Sequence, residues 1–284
     1  MLFPPNIRAQ IDRLALRFAR LSSTTGEGKR ATAGQLGARE FAGHKAYEQG
    51  DDLRRIDWAA YGRLGKLYLK QFFPEREQVL TIAPDLSGSM NVSTPRKRDS
   101  ALRLAAALAA VAIKSGAGIE LVLPTSRERL SGPQAMNSVY SALEIATATS
   151  QPFLEWAGKA LTGKSIPGNT VIISDLFEPP TSFTPLRQLA SQGRKLSVVA
   201  MLGREELSPE MTGAVRLLDT EGQTRIDLEL THSTLAIYRQ ELRQHLNSWQ
   251  GVLGAAMVPF VLATSDEDLG DLFLNKITKS GVMA

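Results

Sequence analysis

The stretch "VLTIAPDLSGSMN", residues 79–91, decides the fold. Its first six residues are apolar enough for a buried strand, yet the run ends on Asp85, with hydroxyls following at alternate positions, Ser87 and Ser89. One reading is local: Asp and Ser end strands because their side chains hydrogen-bond nearby backbone and favour turns. The other is chemical: three oxygen donors gathered at a strand end form part of a metal site.

Working outward, the chain alternates between strand-like and helix-like segments. The Ala/Leu-rich run 98–114 has strong helix propensity. "GIELVLP" (118–124) reads as a short strand with "RERLS" (127–131) as its hairpin partner, and 138–148 and 153–161 as helices. "TVIISD" (170–175) is a buried strand, "TPLRQLASQG" (184–193) a helix ending on Gly193, and "KLSVVAML" (195–202) another strand. A hairpin around Glu221 and Gly222, a long helix over 233–249, a last strand "MVPFVLAT" (257–264) and a last helix over 266–277 complete the pattern. Val/Ile/Leu-rich strands separated by helices predict an α/β fold with a doubly wound, mostly parallel sheet. In such sheets ligands gather at the carboxyl ends of strands where the strand order reverses. Asp175 ends its strand as Asp85 does, so two carboxylates and two serines converge if those strands are neighbours. All are hard oxygen donors, suited to Mg²⁺, Mn²⁺ or Ca²⁺ rather than zinc or copper.

Ahead of this region the chain carries an amphipathic helix over 6–21, open to packing on its own domain or to a membrane surface or partner. A Ser/Thr/Gly/Lys-rich loop follows over 22–37. "KLYLKQFF" (66–73) and "QVLTIAP" (78–84) read as neighbouring strands joined by "PERE". The division expected is an N-terminal helix and β-rich extension over 1–76 and the main domain over 77–284.

Bulk properties exclude several classes. The 284 residues contain no cysteine, which removes disulfide frameworks, thiolate metal sites and cysteine nucleophiles. A formal charge of +4 is mild for this length and does not imply nucleic acid. Neither "LRLAAALAAVAI" nor "GVLGAAMVPFVLA" reaches the roughly 20 apolar residues of a membrane span, and the first 20 residues do not resemble a signal peptide. The expectation is a soluble, cytoplasmic protein. The motifs GxxxxGK[ST], HExxH and GxSxG are absent, "GEGKRATAG" (26–34) included, so nucleotide-phosphate, zincin and serine-hydrolase chemistry is not indicated. His232 and His245 lack helical metal-pair spacing and read as surface or capping residues.

"DLSGS" resembles the Asp-x-Ser-x-Ser signature of von Willebrand factor A-type domains. Their metal-ion-dependent adhesion site also takes a Thr from a later loop and an Asp from a strand end. Asp175 in "IISDLF" matches the last element, and Thr149 in "ATATS" (146–150), beside Thr147 and Ser150, lies in the interval where the Thr is expected. "YEQGDDLRRIDWAAYGRLGKLYLKQF" (47–72) is similar to the bacterial DUF58 family, in which Gly-Asp-Asp-x-Arg-x-Ile-Asp-Trp precedes a von Willebrand A-like domain. Gly50, Asp51, Asp52, Arg54, Ile56, Asp57 and Trp58 stand at the matching places. "GAVRLLDTEG", "YRQEL" and "VPFVLATSDEDLGDLFL" extend the likeness over nearly the whole chain.

The resemblance implies a non-enzymatic interaction module in which Asp85, Ser87, Ser89, Thr149 and Asp175 hold a divalent cation. That cation would grip an acidic side chain of a client protein or of a MoxR-type AAA+ ATPase during chaperone-like assembly or maturation. The alternative is a metal-dependent phosphoryl-transfer hydrolase with Asp85 as nucleophile, although Ser87 stands where many such enzymes carry a second Asp. The "GDDLRRIDW" segment offers a partner surface through Arg54, Arg55 and Asp57, or a structural turn in which Trp58 fills core. Arg63, Lys66 and Lys70 read as a solvated strand face. Nucleic-acid binding would rest on N-terminal charge alone.

Overall fold

The computed structural model describes residues 1–24, 41–48, 52–53, 56–72, 79–132, 134–162, 168–191, 194–220 and 225–282. The chain forms two compact units, Ser22–Glu77 and a larger one made of Met1–Leu21 with Gln78–Ala284. The first helix, α1 (Pro5–Thr24), runs mostly within the larger unit, whose first segment is Met1–Leu21. Phe3, Ile11, Leu14 and Ala15 are buried in the main core, and the Phe3 ring packs tilted against Tyr140 at 4.9 Å between ring centroids.

In the smaller unit, β1 (Phe41–Ala46) pairs antiparallel with β2 (Tyr68–Phe72), and α2 (Trp58–Leu64) lies between them in sequence. Asp57 caps α2, its Oδ1 accepting from Ala59 and Ala60 N–H at 3.0 and 3.1 Å, and its Oδ2 lies 2.8 Å from His44 Nε2. Gly65 ends the helix in the left-handed conformation. Three expectations are corrected here. β2 pairs with β1, not with the strand after "PERE", and Trp58 is 66% exposed, so it does not fill core. Arg63 sits on α2, away from the strand that carries Lys70. Gly50, Asp51, Arg54, Arg55, "PERE" and "GEGKRATAG" lie outside the described residues.

The larger unit is built on a six-stranded sheet of order β10-β7-β6-β3-β4-β5. Its members are β3 (Val79–Pro84), β4 (Gly118–Val122), β5 (Arg127–Leu130), β6 (Gly168–Ser174), β7 (Lys195–Leu202) and β10 (Phe260–Thr264). All pairings are parallel except β4 with β5. Alternate residues of the central strands supply two cores, as the period-two geometry of a doubly covered sheet requires. Leu80, Ile82, Val171, Ile173, Val199 and Met201 face one side, where α1, α3 (Lys97–Lys114) and α4 (Ala135–Ile145) pack. Ala83, Ile172, Val198 and Ala200 face the other, against α5 (Phe153–Leu161), α6 (Thr184–Ser191) and α8 (His232–Ala255). Each Leu fully buried in this way, such as Leu104 and Leu108, contributes about 1.5–3 kcal/mol of apolar transfer.

Between β7 and α8 lie the short α7 (Arg204–Leu207) and a separate antiparallel pair, β8 (Gly213–Leu218) with β9 (Arg225–Leu230). The turn at Glu221 and Gly222, like Gly193, falls outside the described residues. After β10, α9 (Leu269–Asp271) runs into a π-helical segment, Leu272–Ile277. No helix among the described residues is long and apolar enough to cross a membrane.

Candidate functional site

The strand order reverses between β3 and β6, and the site stands at their carboxyl ends. Register pairs Pro84 with Ile173, and the ladder continues one step further through Asp85 N–H donating to Ile173 O at 2.7 Å. This sets Asp85 beside Ser174, with Asp175 the next residue along β6. Two strands that each end on Asp thus bring their carboxylates to one crevice.

Asp85 is 1% exposed and fully hydrogen-bonded. Its Oδ1 accepts the Ser87 N–H at 2.8 Å and its Oδ2 accepts the Ser174 hydroxyl at 2.6 Å. Burial first, and the charge of Asp175 second, push the Asp85 carboxyl from its ordinary 3.8 up to about 7, against the pull of the Ser174 and Ser87 hydrogen bonds. The Ser87 and Ser89 hydroxyls lie 3.0 Å apart at the start of a 3₁₀ turn, Gly88–Asn91. Thr149 is drawn to the same loop by its N–H, which donates to Leu86 O at 3.0 Å, while its hydroxyl accepts from Gln151 N–H at 3.1 Å. Arg98 holds this segment from α3 by donating to Ala146 O.

Asp175 is 3% exposed, and its Oδ2 lies 2.8 Å from the ammonium of Lys97. Lys97, with no exposure, also reaches Glu206 Oε1 at 2.6 Å and sits 4.7 Å from the centroid of the Phe177 ring. Leu176, immediately after Asp175, takes a left-handed backbone conformation (φ 56°) that costs a branched residue about 1–2 kcal/mol. Its carbonyl is held from α8 by Trp249 Nε1–H at 2.9 Å and by His245 Nε2 at 2.7 Å. His245 is thus a tether of the site loop, where its spacing suggested a surface or capping residue.

Asp85, Ser87 and Ser89 are therefore joined by hydrogen bonds, with the charge of Asp175 close enough to act on Asp85 and the backbone of Thr149 bonded to the same loop. The donor chemistry fits a hard divalent cation, because the two strand ends offer two carboxylates and two serine hydroxyls, all hard oxygen donors. Among the described residues no three His, Cys, Asp or Glu side chains are grouped to hold a metal, so a cation here needs the hydroxyls. Three participants escaped sequence reasoning: Ser174, Lys97 and Glu206. Lys97 does carry a signal, since it stands in helical register with buried Ala101, Leu104 and Leu108.

Fold and site together define an α/β domain with a mostly parallel six-stranded sheet and an oxygen-rich cluster of side chains at its switch point. The chain belongs to the family described as "Protein of unknown function DUF58", which matches residues 44–248. The match stops short of "VPFVLATSDEDLGDLFL", which was expected to fall within it. Uncharacterized proteins of Mycobacterium tuberculosis and Mycobacterium bovis are 27% identical over 190 residues, 62% of this chain and 59% of theirs, so the aligned stretch is under two thirds of those relatives. Two solved structures are also similar: the conserved hypothetical protein BatB from Bacteroides thetaiotaomicron and an aerotolerance-related membrane protein from Bacteroides fragilis. Each is 13% identical and covers 72% of this chain and 98% of its own, with TM-scores of 0.38 and 0.39.

Proposed function

We propose that this chain is a non-enzymatic interaction module of the von Willebrand A type, in which a divalent cation captures a carboxylate from a partner protein. The observation that supports it is the convergence at one switch point of Asp85 and Asp175 with the Ser87–Ser89 hydroxyl pair 3.0 Å apart. Asp85, Ser87 and Ser89 would hold Mg²⁺, Mn²⁺ or Ca²⁺, with Thr149 and Asp175 completing or orienting its water shell. When bound, the ion supplies the positive charge that makes burying a partner's Glu or Asp favourable. The partner class is a MoxR-type AAA+ ATPase or a client with an exposed acidic side chain.

The hydrolase alternative gains no support from the geometry. Ser87 stands where many such hydrolases carry the second Asp that serves as acid and base. The test is binding of the immobilised chain to the MoxR-type ATPase of the same genome in Mg²⁺ and in excess EDTA. Binding that needs Mg²⁺ and disappears in Asp85→Ala, with the fold intact by circular dichroism, supports the reading. Undiminished binding in EDTA overturns it.

A further inference from the structure

We infer that Lys97 is the resident cation of this crevice, and that a divalent ion gains Asp175 only by exchange with its ammonium. The inference rests on reading the crevice as a cation site and names what regulates its loading.

A wholly buried ammonium persists only where carboxylates compensate it. Lys97 has two, at 2.8 Å on Asp175 Oδ2 and 2.6 Å on Glu206 Oε1, and the Phe177 ring adds a third favourable contact. The two carboxylates are not equivalent. Glu206 is fixed from three directions: its Oε1 by Lys97, its Oε2 by Gly203 N–H at 2.6 Å, and its carbonyl by the Tyr238 hydroxyl at 2.9 Å. Gly203 packs closely on Ser93, where a Cβ would stand 1.8 Å from the hydroxyl oxygen. Asp175, by contrast, has beyond Lys97 a long 3.4 Å contact from Phe177 N–H among the described residues. When Asp175 turns to an incoming ion, Lys97 keeps Glu206, so neither the ammonium nor the carboxylate is left buried and unpaired.

The charge balance points the same way. Asp175 and Glu206 set two carboxylates against the single ammonium of Lys97, so their pairing leaves negative charge over for an incoming cation. Lys97 therefore weakens cation binding twice over, by occupying Asp175 and by repelling the ion at close range. Glu206 moderates both effects by drawing the ammonium toward α7.

Mn²⁺ titration calorimetry on the full chain tests this with wild type, Lys97→Met and Glu206→Gln, each checked by circular dichroism with and without Mn²⁺. Lys97→Met is expected to bind Mn²⁺ at least tenfold tighter. Where that variant folds only with Mn²⁺, the midpoint of Mn²⁺-induced folding reads the same affinity. Glu206→Gln is expected to bind several-fold more weakly, since the whole ammonium charge then falls on Asp175. A Lys97→Met chain that binds no tighter than wild type overturns the inference and leaves the cation reading standing. If Lys97→Met does not fold even in saturating Mn²⁺, Glu206→Gln decides, with unchanged or tighter binding overturning the inference. Wild type that takes no Mn²⁺ while Lys97→Met does overturns the exchange and, for the wild-type chain, the cation reading with it. Absence of binding in all three chains overturns both.

Discussion

Replacing Asp85 by Asn should change how stability depends on pH. The Asp85 carboxyl is carried from 3.8 to about 7 by burial and by Asp175, so in the absence of a cation the folded chain holds a proton that the unfolded chain releases. Between those two values the native state binds more protons, and stability therefore falls as pH rises through the window from about 4 to about 7. A displacement of that size is linked to on the order of 4 kcal/mol, a large share of a typical domain's net stability. The penalty is complete above the folded-state value and absent below the unfolded one. Asn keeps the side-chain oxygen that accepts from Ser87 N–H, and its amide can donate to Ser174 Oγ, so the variant loses the charge with little loss of shape. Urea denaturation in EDTA from pH 4.5 to 8 should show wild type losing stability across the range and Asp85→Asn nearly level. Saturating Mg²⁺ should recover the wild-type loss, by about 2.7 kcal/mol at a hundred times the dissociation constant, and leave the variant unmoved. Parallel slopes for the two chains in EDTA would refute the reasoning, because the titrating group would then not be Asp85.

Other consequences follow from individual contacts. Gly168→Ala would set a Cβ 2.1 Å from Val79 O and force β3 from β6, so it should cost several kcal/mol in urea denaturation and weaken cation binding together. Trp249→Phe removes the donor to Leu176 O and Glu178 O, and should destabilise the chain by about 1–3 kcal/mol in thermal unfolding while loosening the loop that carries Asp175. Thr81→Val leaves Glu120 Oε2 without its 3.0 Å hydroxyl donor in the buried sheet, with an expected loss of about 1–2 kcal/mol by the same measurement.

The sheet was legible because apolar runs such as 79–84 and 170–174 end abruptly on Asp, and parallel strands buried on both faces leave few other residue types available. Helix α5 and strand β7 begin and end where the pattern places them. Helix α4 does not: it occupies Ala135–Ile145, three residues before the expected span, because "ATATS" is taken up by Arg98 bonding Ala146 O and Thr149 bonding Leu86 O. Those partners come from elsewhere in the fold and override local helix propensity. The same reason hid Lys97, whose counter-charges lie 78 and 109 residues away and which reads locally as one basic residue in "RKR". Asp85 and Asp175 were visible because strand ends are a position with chemical meaning, whereas Glu206 sits in an ordinary acidic turn after β7.

The central claim is tested most directly by soaking crystals of the chain in Mn²⁺ and collecting anomalous diffraction. The account predicts one strong peak at ligand distance from the side chains of Asp85, Ser87 and Ser89. A map with no peak in that crevice, or with its Mn²⁺ bound elsewhere, would contradict it.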